Sequence, residues 1–251
     1  MALLEVQNVS RSFGGVQAVK NVTFSVNEGE IVGLIGPNGA GKTTMMNLIS
    51  GLIKIDEGEI RFQGARISGL KPHVIARKGI ARTFQIVKPF QGMTVRENVM
   101  MGALFRPDLQ GLKGAAIKEV VDEALELLEL DKRAEEPVEQ LNLAHRKHLE
   151  LARAMAMGPK LLLLDEVMAG LNLKEVERLM DLVRRLNARG ITILVIEHVM
   201  KAVMGLSNRV LVMHYGSLIA EGPPEVITQD PKVIEAYLGK RRHKGLYREA
   251  R

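Results

Sequence analysis

Apolar residues along the chain recur with two periods. Runs of strand length, continuous or alternating, are LLEVQNV (3–9), VTFSV (22–26), IVGLI (31–35), LLLLD (161–165), ITILVIE (191–197) and RVLVMH (209–214). Between some of them the period lengthens to that of a helix. In KEVVDEALELLEL, Val121, Ala124, Leu125 and Leu128 stand at i, i+3, i+4 and i+7, which puts them on one helical face. The pattern KEVERLMDLVRRLNARG predicts a helix that stops at Arg189-Gly190, a basic last turn followed by glycine. Preceded by LLLLD and followed by ITILVIE, it reads as the βαβ unit of a parallel sheet. The early strands, separated by Glu28-Gly29 and Asp56-Glu57-Gly58, are expected to pair antiparallel. From about Thr94 to Gly158 the period is helical and no strand candidate occurs. The expected class is therefore α/β: a mixed, mainly parallel sheet with an antiparallel β subdomain, plus an inserted helical subdomain.

Composition narrows the function. The chain has 251 residues, 46% of them hydrophobic and 25% charged, as in a folded globular protein. No apolar run approaches the ~18 residues of a bilayer crossing, and the start, MALLEVQNVS, does not read as a signal peptide. There is no Cys, which removes disulfides, thiolate metal sites and a Cys nucleophile. Aromatics at 4% with no Trp argue against a base-stacking platform, so no nucleic-acid partner is expected. The excess of 35 Lys+Arg over 29 Asp+Glu gives +6, which suits a phosphate ligand or an anionic membrane surface.

The strongest chemical signal is Gly36-Pro37-Asn38-Gly39-Ala40-Gly41-Lys42-Thr43, followed by Thr44. It fits G-x-x-x-x-G-K-[ST] and lies between an apolar strand and a helical run closing at Gly51. The three glycines let backbone N–H groups converge on a phosphate, and the helix N-terminus adds partial positive charge. Lys42 supplies a point charge for the β- and γ-phosphates, and the Thr43 hydroxyl is a ligand for Mg²⁺. The second signal is Asp165-Glu166 at the carboxyl end of LLLLD, the edge of a parallel sheet where ligands bind. Asp165 is expected to hold Mg²⁺ through water, and Glu166 to orient or deprotonate the attacking water.

With these motifs in this order, the chain resembles an ATP-binding-cassette ATPase over nearly its whole length. The resemblance implies ATP and Mg²⁺ as cofactors and further site residues. Phe13 in RSFGG matches the aromatic that stacks on adenine. Gln85 in RTFQ matches the glutamine that senses metal and water, and His198 in VIEH matches the histidine that contacts the γ-phosphate. The ending GSLIAEGPPEVITQDPKVIEAYLG and the phrase AGLN bring it nearest to ATPases of branched-chain or hydrophobic amino-acid importers. Such a subunit is peripheral on the cytoplasmic face of the inner membrane. It pairs with a second cassette, identical or not, drives two membrane-spanning permeases, and is served indirectly by an extracytoplasmic binding protein. The implied organisation is one ATPase domain over 1–239, with core 1–84 and 159–239 and helical insertion 85–158, and a basic tail over 240–251.

One motif departs from the family. Where L-S-G-G-Q is usual, the chain reads Leu141-Asn142-Leu143-Ala144-His145. Asn142 is a good N-cap whose amide also donates hydrogen bonds, so it can replace the serine that faces the opposite ATP. Ala144 keeps the backbone N–H but adds a methyl group, and a lost charge-assisted donor there costs ~1.5–3 kcal/mol. The expectation is a working variant. The tail, with Lys240, Arg241, Arg242, His243 and Lys244, reads as a solvated terminus or else as a contact for anionic lipid. Alternatives left open are a cassette for another substrate or for lipid export, a cassette that does not serve transport, and a P-loop phosphotransferase.

Overall fold

The computed structural model of the chain describes residues 2–85, 88–109 and 114–238; the tail cluster Lys240–Lys244 lies outside them. Ten strands occur among these residues: β1 (Ala2–Phe13), β2 (Val16–Asn27), β3 (Ile31–Ile35), β4 (Glu57–Phe62), β5 (Ala65–Arg66), β6 (Ile80–Arg82), β7 (Leu161–Asp165), β8 (Thr192–Ile196), β9 (Arg209–His214) and β10 (Ser217–Gly222). The α-helices are α1 (Lys42–Ile49), α2 (Pro72–Arg77), α3 (Val95–Ala103), α4 (Gly114–Leu127), α5 (Leu143–Ala156), α6 (Leu173–Ala188), α7 (Met200–Leu206), α8 (Pro224–Ile227) and α9 (Pro231–Leu238). They form two compact units. One is drawn from residues up to Gly69 and from Leu194 onward; the other is Leu70–Ile193. The division falls within β8.

In the first unit, β2-β1-β4-β5 form an antiparallel sheet. Leu4, Val6, Val9, Val22, Phe24, Val26, Ile60 and Phe62 bury its inner face. The antiparallel expectation holds, but the turns differ. Gly14-Gly15, both at positive φ, joins β1 to β2, with Phe13 opposite Val16. Glu28-Gly29 closes no hairpin: β2 stays with β1, whereas β3 pairs parallel with β9 in another sheet. Glu57 and Gly58 are the first residues of β4 rather than a turn. Alternating β2 cannot continue into β3, because every residue of β3 is buried and must be covered on both faces. Arg209 fastens this change of sheet. Its guanidinium donates to both Glu30 oxygens, at 2.8 and 2.9 Å, and to the Ser25 carbonyl at 2.7 Å. β10 runs antiparallel to β9. Ile35, Val203, Val210, Val212, Ile227 and Val233 close a core that brings α7, α8 and α9 against these strands.

In the second unit, β6 pairs parallel with β7, with Ile80 opposite Leu161 and Arg82 opposite Leu163. No strand occurs among the described residues from Thr94 to Gly158, as the helical period predicted. The apolar stripe of α4 is buried at Val121, Ala124 and Leu125, and Leu128 just beyond it is fully covered. Thr94 and Glu97 form a capping box at the start of α3, and Asn172 and Glu175 form another at α6. Asn98 is completely buried on α3 and bonds both the N–H and the carbonyl of Phe90, which pins that loop to the helix. α6 ends as anticipated, at Arg189 with Gly190 in the left-handed region.

Candidate functional site

The candidate residues lie in two groups, one in each unit. In the first unit, β3 runs into Gly36, whose φ is 150° and whose added Cβ would stand 2.1 Å from the Met213 carbonyl oxygen. The chain then curls through Pro37, exposed Asn38 and Gly39, and buried Ala40 to Gly41, the cap of α1. No side chain caps α1 and no acidic residue sits in its first turn, so its leading N–H groups are left to a ligand. Lys42 is buried, and its ammonium donates to the carbonyls of Gly36 at 2.7 Å and Pro37 at 3.1 Å. The lysine thus folds back across the mouth of the loop, where a phosphate would take its charge. Thr43 is exposed and Thr44 half-buried behind it. A glycine loop packed too closely against its own unit to admit a Cβ at Gly36 or Gly41, with a buried cation folded onto it and an uncapped helix end after it, fits the phosphates of a nucleotide.

Phe13, at the end of β1, is 43% exposed, with the Arg11 guanidinium 4.8 Å from its ring centroid. Arg11 is held in turn by Asp56 at 2.5 Å. His198 follows β8 on an exposed turn ahead of α7.

In the second unit, Asp165 ends β7 almost fully buried, and its carboxylate accepts from Arg82 at 2.7 Å. Thr83 adds a hydroxyl that accepts from the Asp165 N–H at 3.3 Å. Glu166 has φ 51°, a left-handed conformation that costs a non-glycine residue ~1–2 kcal/mol. Its carboxylate accepts from the Gln85 side-chain amide at 2.6 Å. The two residues stand 81 apart in sequence, and the structure joins them. Lys147, buried on α5, reaches the backbone carbonyls of Gln85 at 3.3 Å and Glu166 at 3.5 Å. Sequence reasoning missed Arg82 and Lys147, since no local spacing ties either to the acidic pair. Among the described residues no cluster of three or more His, Asp or Glu could hold a metal ion. Mg²⁺ takes hard oxygen donors, one or two from protein and the rest from phosphate and water, and the Thr43 hydroxyl and the Asp165 carboxylate are each of that kind.

Asn142 is the N-cap of α5, its side-chain oxygen accepting from the His145 N–H at 2.9 Å. Leu143 is exposed and Ala144 half-buried on the first turn. One turn on, His148 is buried; its Nδ1 lies 3.0 Å from the Leu128 carbonyl, and its ring meets that of His145 edge-on. Burial lowers the pKa of His148, and burial with Arg133 and Arg178 lowers that of His145. The unfolded chain therefore takes up these protons before the folded one does, and stability falls as pH drops below about 6.5. Thermal unfolding should show a midpoint that falls between pH 7.5 and 5.5. The fall should be shallower in His148→Gln; an equal slope in the variant would exclude this cause.

The second unit also carries a groove with aromatic and sulfur-rich walls, lined by Phe84, Phe90, Met101, Phe105, Ala154 and Met157. Phe84, Phe90 and Phe105 are between 41% and 49% exposed, more than an isolated chain gains from showing to water. Glu150 sits at its side and accepts from the Phe84 N–H at 2.6 Å; burial pushes its pKa up.

Comparison with known proteins agrees with this chemistry. Residues 19–169 match the family described as ABC transporter, and residues 217–243 match the branched-chain amino acid ATP-binding cassette transporter family. A relative named high-affinity branched-chain amino acid transport ATP-binding protein BraF, from Pseudomonas aeruginosa, is 41% identical over 250 residues, covering 95% of this chain and 98% of its own. A solved ATP-binding cassette of an ABC transporter superposes with a TM-score of 0.86 at 34% identity, covering 94% of this chain and 99% of its own. A bacterial ABC transporter cassette solved as a dimer gives 0.78 at 28% identity, covering 88% and 98%. By family match, relatives and fold alike, the chain belongs to the ABC transporter family, as one of its ATP-binding cassettes.

Proposed function

We propose that this chain is the ATP-hydrolysing subunit of an importer for branched-chain amino acids. The observation that carries the reading is the loop from Gly36 to Thr43, with Lys42 drawn onto its carbonyls and an uncapped helix behind it. In this reading the loop grips the β- and γ-phosphates of ATP, the Thr43 hydroxyl is a ligand for Mg²⁺, and Asp165 holds the ion through water. Gln85 orients the water, Glu166 takes its proton, His198 meets the γ-phosphate and Phe13 stacks on adenine. Asn142 and Ala144 open the helix that completes the site of a partner cassette, identical or not. The names of relatives support the amino-acid cargo.

No helix among the described residues is long and apolar enough to cross a membrane. The cargo pathway is therefore assigned to membrane-spanning partners, one of which seats a helix in the groove between Phe84 and Phe105. The subunit then works peripherally on the cytoplasmic face, and a binding protein on the far side delivers the substrate. The test is co-expression with candidate permeases. The chain should co-purify with them in detergent, and Phe90→Asp with Phe105→Asp should abolish both the association and leucine uptake into vesicles. Association that survives both changes would exclude the groove as the dock. Uptake of a different solute, with none of leucine, would exclude the cargo.

A further inference from the structure

Arg82 joins the acidic end of β7 to the aromatic groove. It closes β6, whose parallel pairing sets Arg82 opposite Leu163, two residues before Asp165. Its guanidinium donates through Nη2 to Oδ2 of Asp165 at 2.7 Å, and both side chains are less than a tenth exposed. The same side chain lines the groove, where its guanidinium carbon lies 5.1 Å from the centroid of the Phe84 ring. Phe84 is fixed in turn through its N–H, which donates to Glu150 of α5 at 2.6 Å, while the residue is half exposed. Stability alone gives little reason for the ion pair. Burying two charges costs about as much as their attraction returns, so apolar residues of the same size would join β6 to β7 as well. What only the arginine can do is orient a carboxylate through one of its oxygens and leave acceptor capacity on the other.

We propose that Arg82 is a positioning residue for Asp165, and that it holds this carboxylate from the side of the groove. The inference rests on the reading of Asp165 as the residue that holds Mg²⁺ through water, and extends it. Thr83, fully buried, accepts from the Asp165 N–H at 3.3 Å and so sets the backbone; Arg82 sets the carboxylate. A carboxylate that loses such a partner keeps its charge but not its orientation, and holds a metal ion less tightly. Because the guanidinium also rests on Phe84, whatever packs on that ring bears on Asp165 through one side chain. The docking groove and the acidic end of β7 are thus linked by a single residue.

The experiment uses Mn²⁺ as the probe for Mg²⁺, because its free and bound forms differ in EPR. With protein in excess over ATP, Mn²⁺ is titrated into the full chain as wild type, Asp165→Asn, Arg82→Lys, Phe84→Leu and the double variant of the last two. ATP binding without metal is measured in parallel, and each protein is melted. Arg82→Lys keeps the charge but loses the planar fork, so its Kd for Mn²⁺ should rise about 10-fold while metal-free ATP affinity stays at wild type. Phe84→Leu loses only the ring under the guanidinium, and its Kd for Mn²⁺ should rise about 2–5-fold. In the Arg82→Lys background Phe84→Leu should add nothing, since its effect passes through the arginine. A pair that serves stability alone would lower the melting midpoint and leave the Kd for Mn²⁺ unchanged. That result overturns the proposal, and so does a Phe84→Leu effect that is undiminished in the Arg82→Lys background. Should Arg82→Lys fail to fold, wild-type Mn²⁺ affinity in Phe84→Leu overturns it by itself. Mn²⁺ held alike by wild type and Asp165→Asn would instead remove Asp165 from the metal, and a wild type that takes up neither ATP nor Mn²⁺ would end the ATP reading; the proposal falls with either.

Discussion

Glu166→Gln is expected to lower ATP turnover by about 10²–10⁴-fold while leaving nucleotide affinity near wild type. The substitution keeps the size of the side chain and its reach to Gln85, whose amide lies 2.6 Å from the carboxylate. The left-handed backbone at φ 51° is unaffected, as is the carbonyl that Lys147 approaches from α5. What is lost is the ability to accept a proton from water. Phosphate release measured at saturating Mg·ATP, beside Kd from direct titration, separates chemistry from binding. Turnover within tenfold of wild type would remove Glu166 from the role of base. Gln85→Ala is the informative companion: it leaves the carboxylate but removes its partner, and should give a smaller loss than Glu166→Gln.

A comparably large effect is expected at Gly36. In Gly36→Ala the new Cβ would lie 2.1 Å from a backbone oxygen of Met213, and backbone cannot swing aside as a flexible side chain does. The φ of 150° is itself disfavoured for alanine. Overpacking costs ~1–3 kcal/mol and a strained backbone conformation another ~1–3 kcal/mol. Much of this is expected to be relieved by shifting the loop, so Mg·ATP affinity should fall ~100-fold or more and the melting midpoint by several degrees. Gly39→Ala is the control. Gly39 has φ 78°, but an added Cβ there meets nothing within 4 Å, so only the strain remains and the loss should be several-fold smaller. Equal losses at the two positions would show that conformation alone, not the Met213 wall, decides the loop.

The parts of the molecule that were legible in the sequence are those whose physics is local. The loop from Gly36 to Thr43 needs its residues in one contiguous run, and the cap at Asn142 acts over three residues, so both could be read from spacing. The stripe of α4 was legible because burial repeats at the helical period. What escaped depends on contacts between distant positions. Arg82 and Asp165 are 83 residues apart and Lys147 and Gln85 62 apart, and no pattern along the chain brings either pair together. β6 has three residues and β5 two, too few to show alternation, while β10 is a half-buried strand without the run of apolar residues that marked β3. The misread turn at Glu28-Gly29 has a similar origin. A glycine between two strands signals reversal, but whether the second strand joins the first or leaves for another sheet is decided by its partner, here β9.

The contact of α3 with α5 carries a mechanical consequence. A Cβ on Gly102 would fall 2.2 Å from the Arg153 carbonyl, so at this point the two helix backbones meet with no side chain between them. At such a contact no flexible side chain is available to give way, so a displacement of one helix there bears directly on the backbone of the other. The 14 residues of α5 form a rod about 21 Å long, anchored to α3 near Arg153 and ending at Asn142. The aromatic rim is tied to the same rod, since the Arg153 guanidinium lies 4.7 Å from the Phe90 ring centroid, so the groove and the Asn142 tip share one helix.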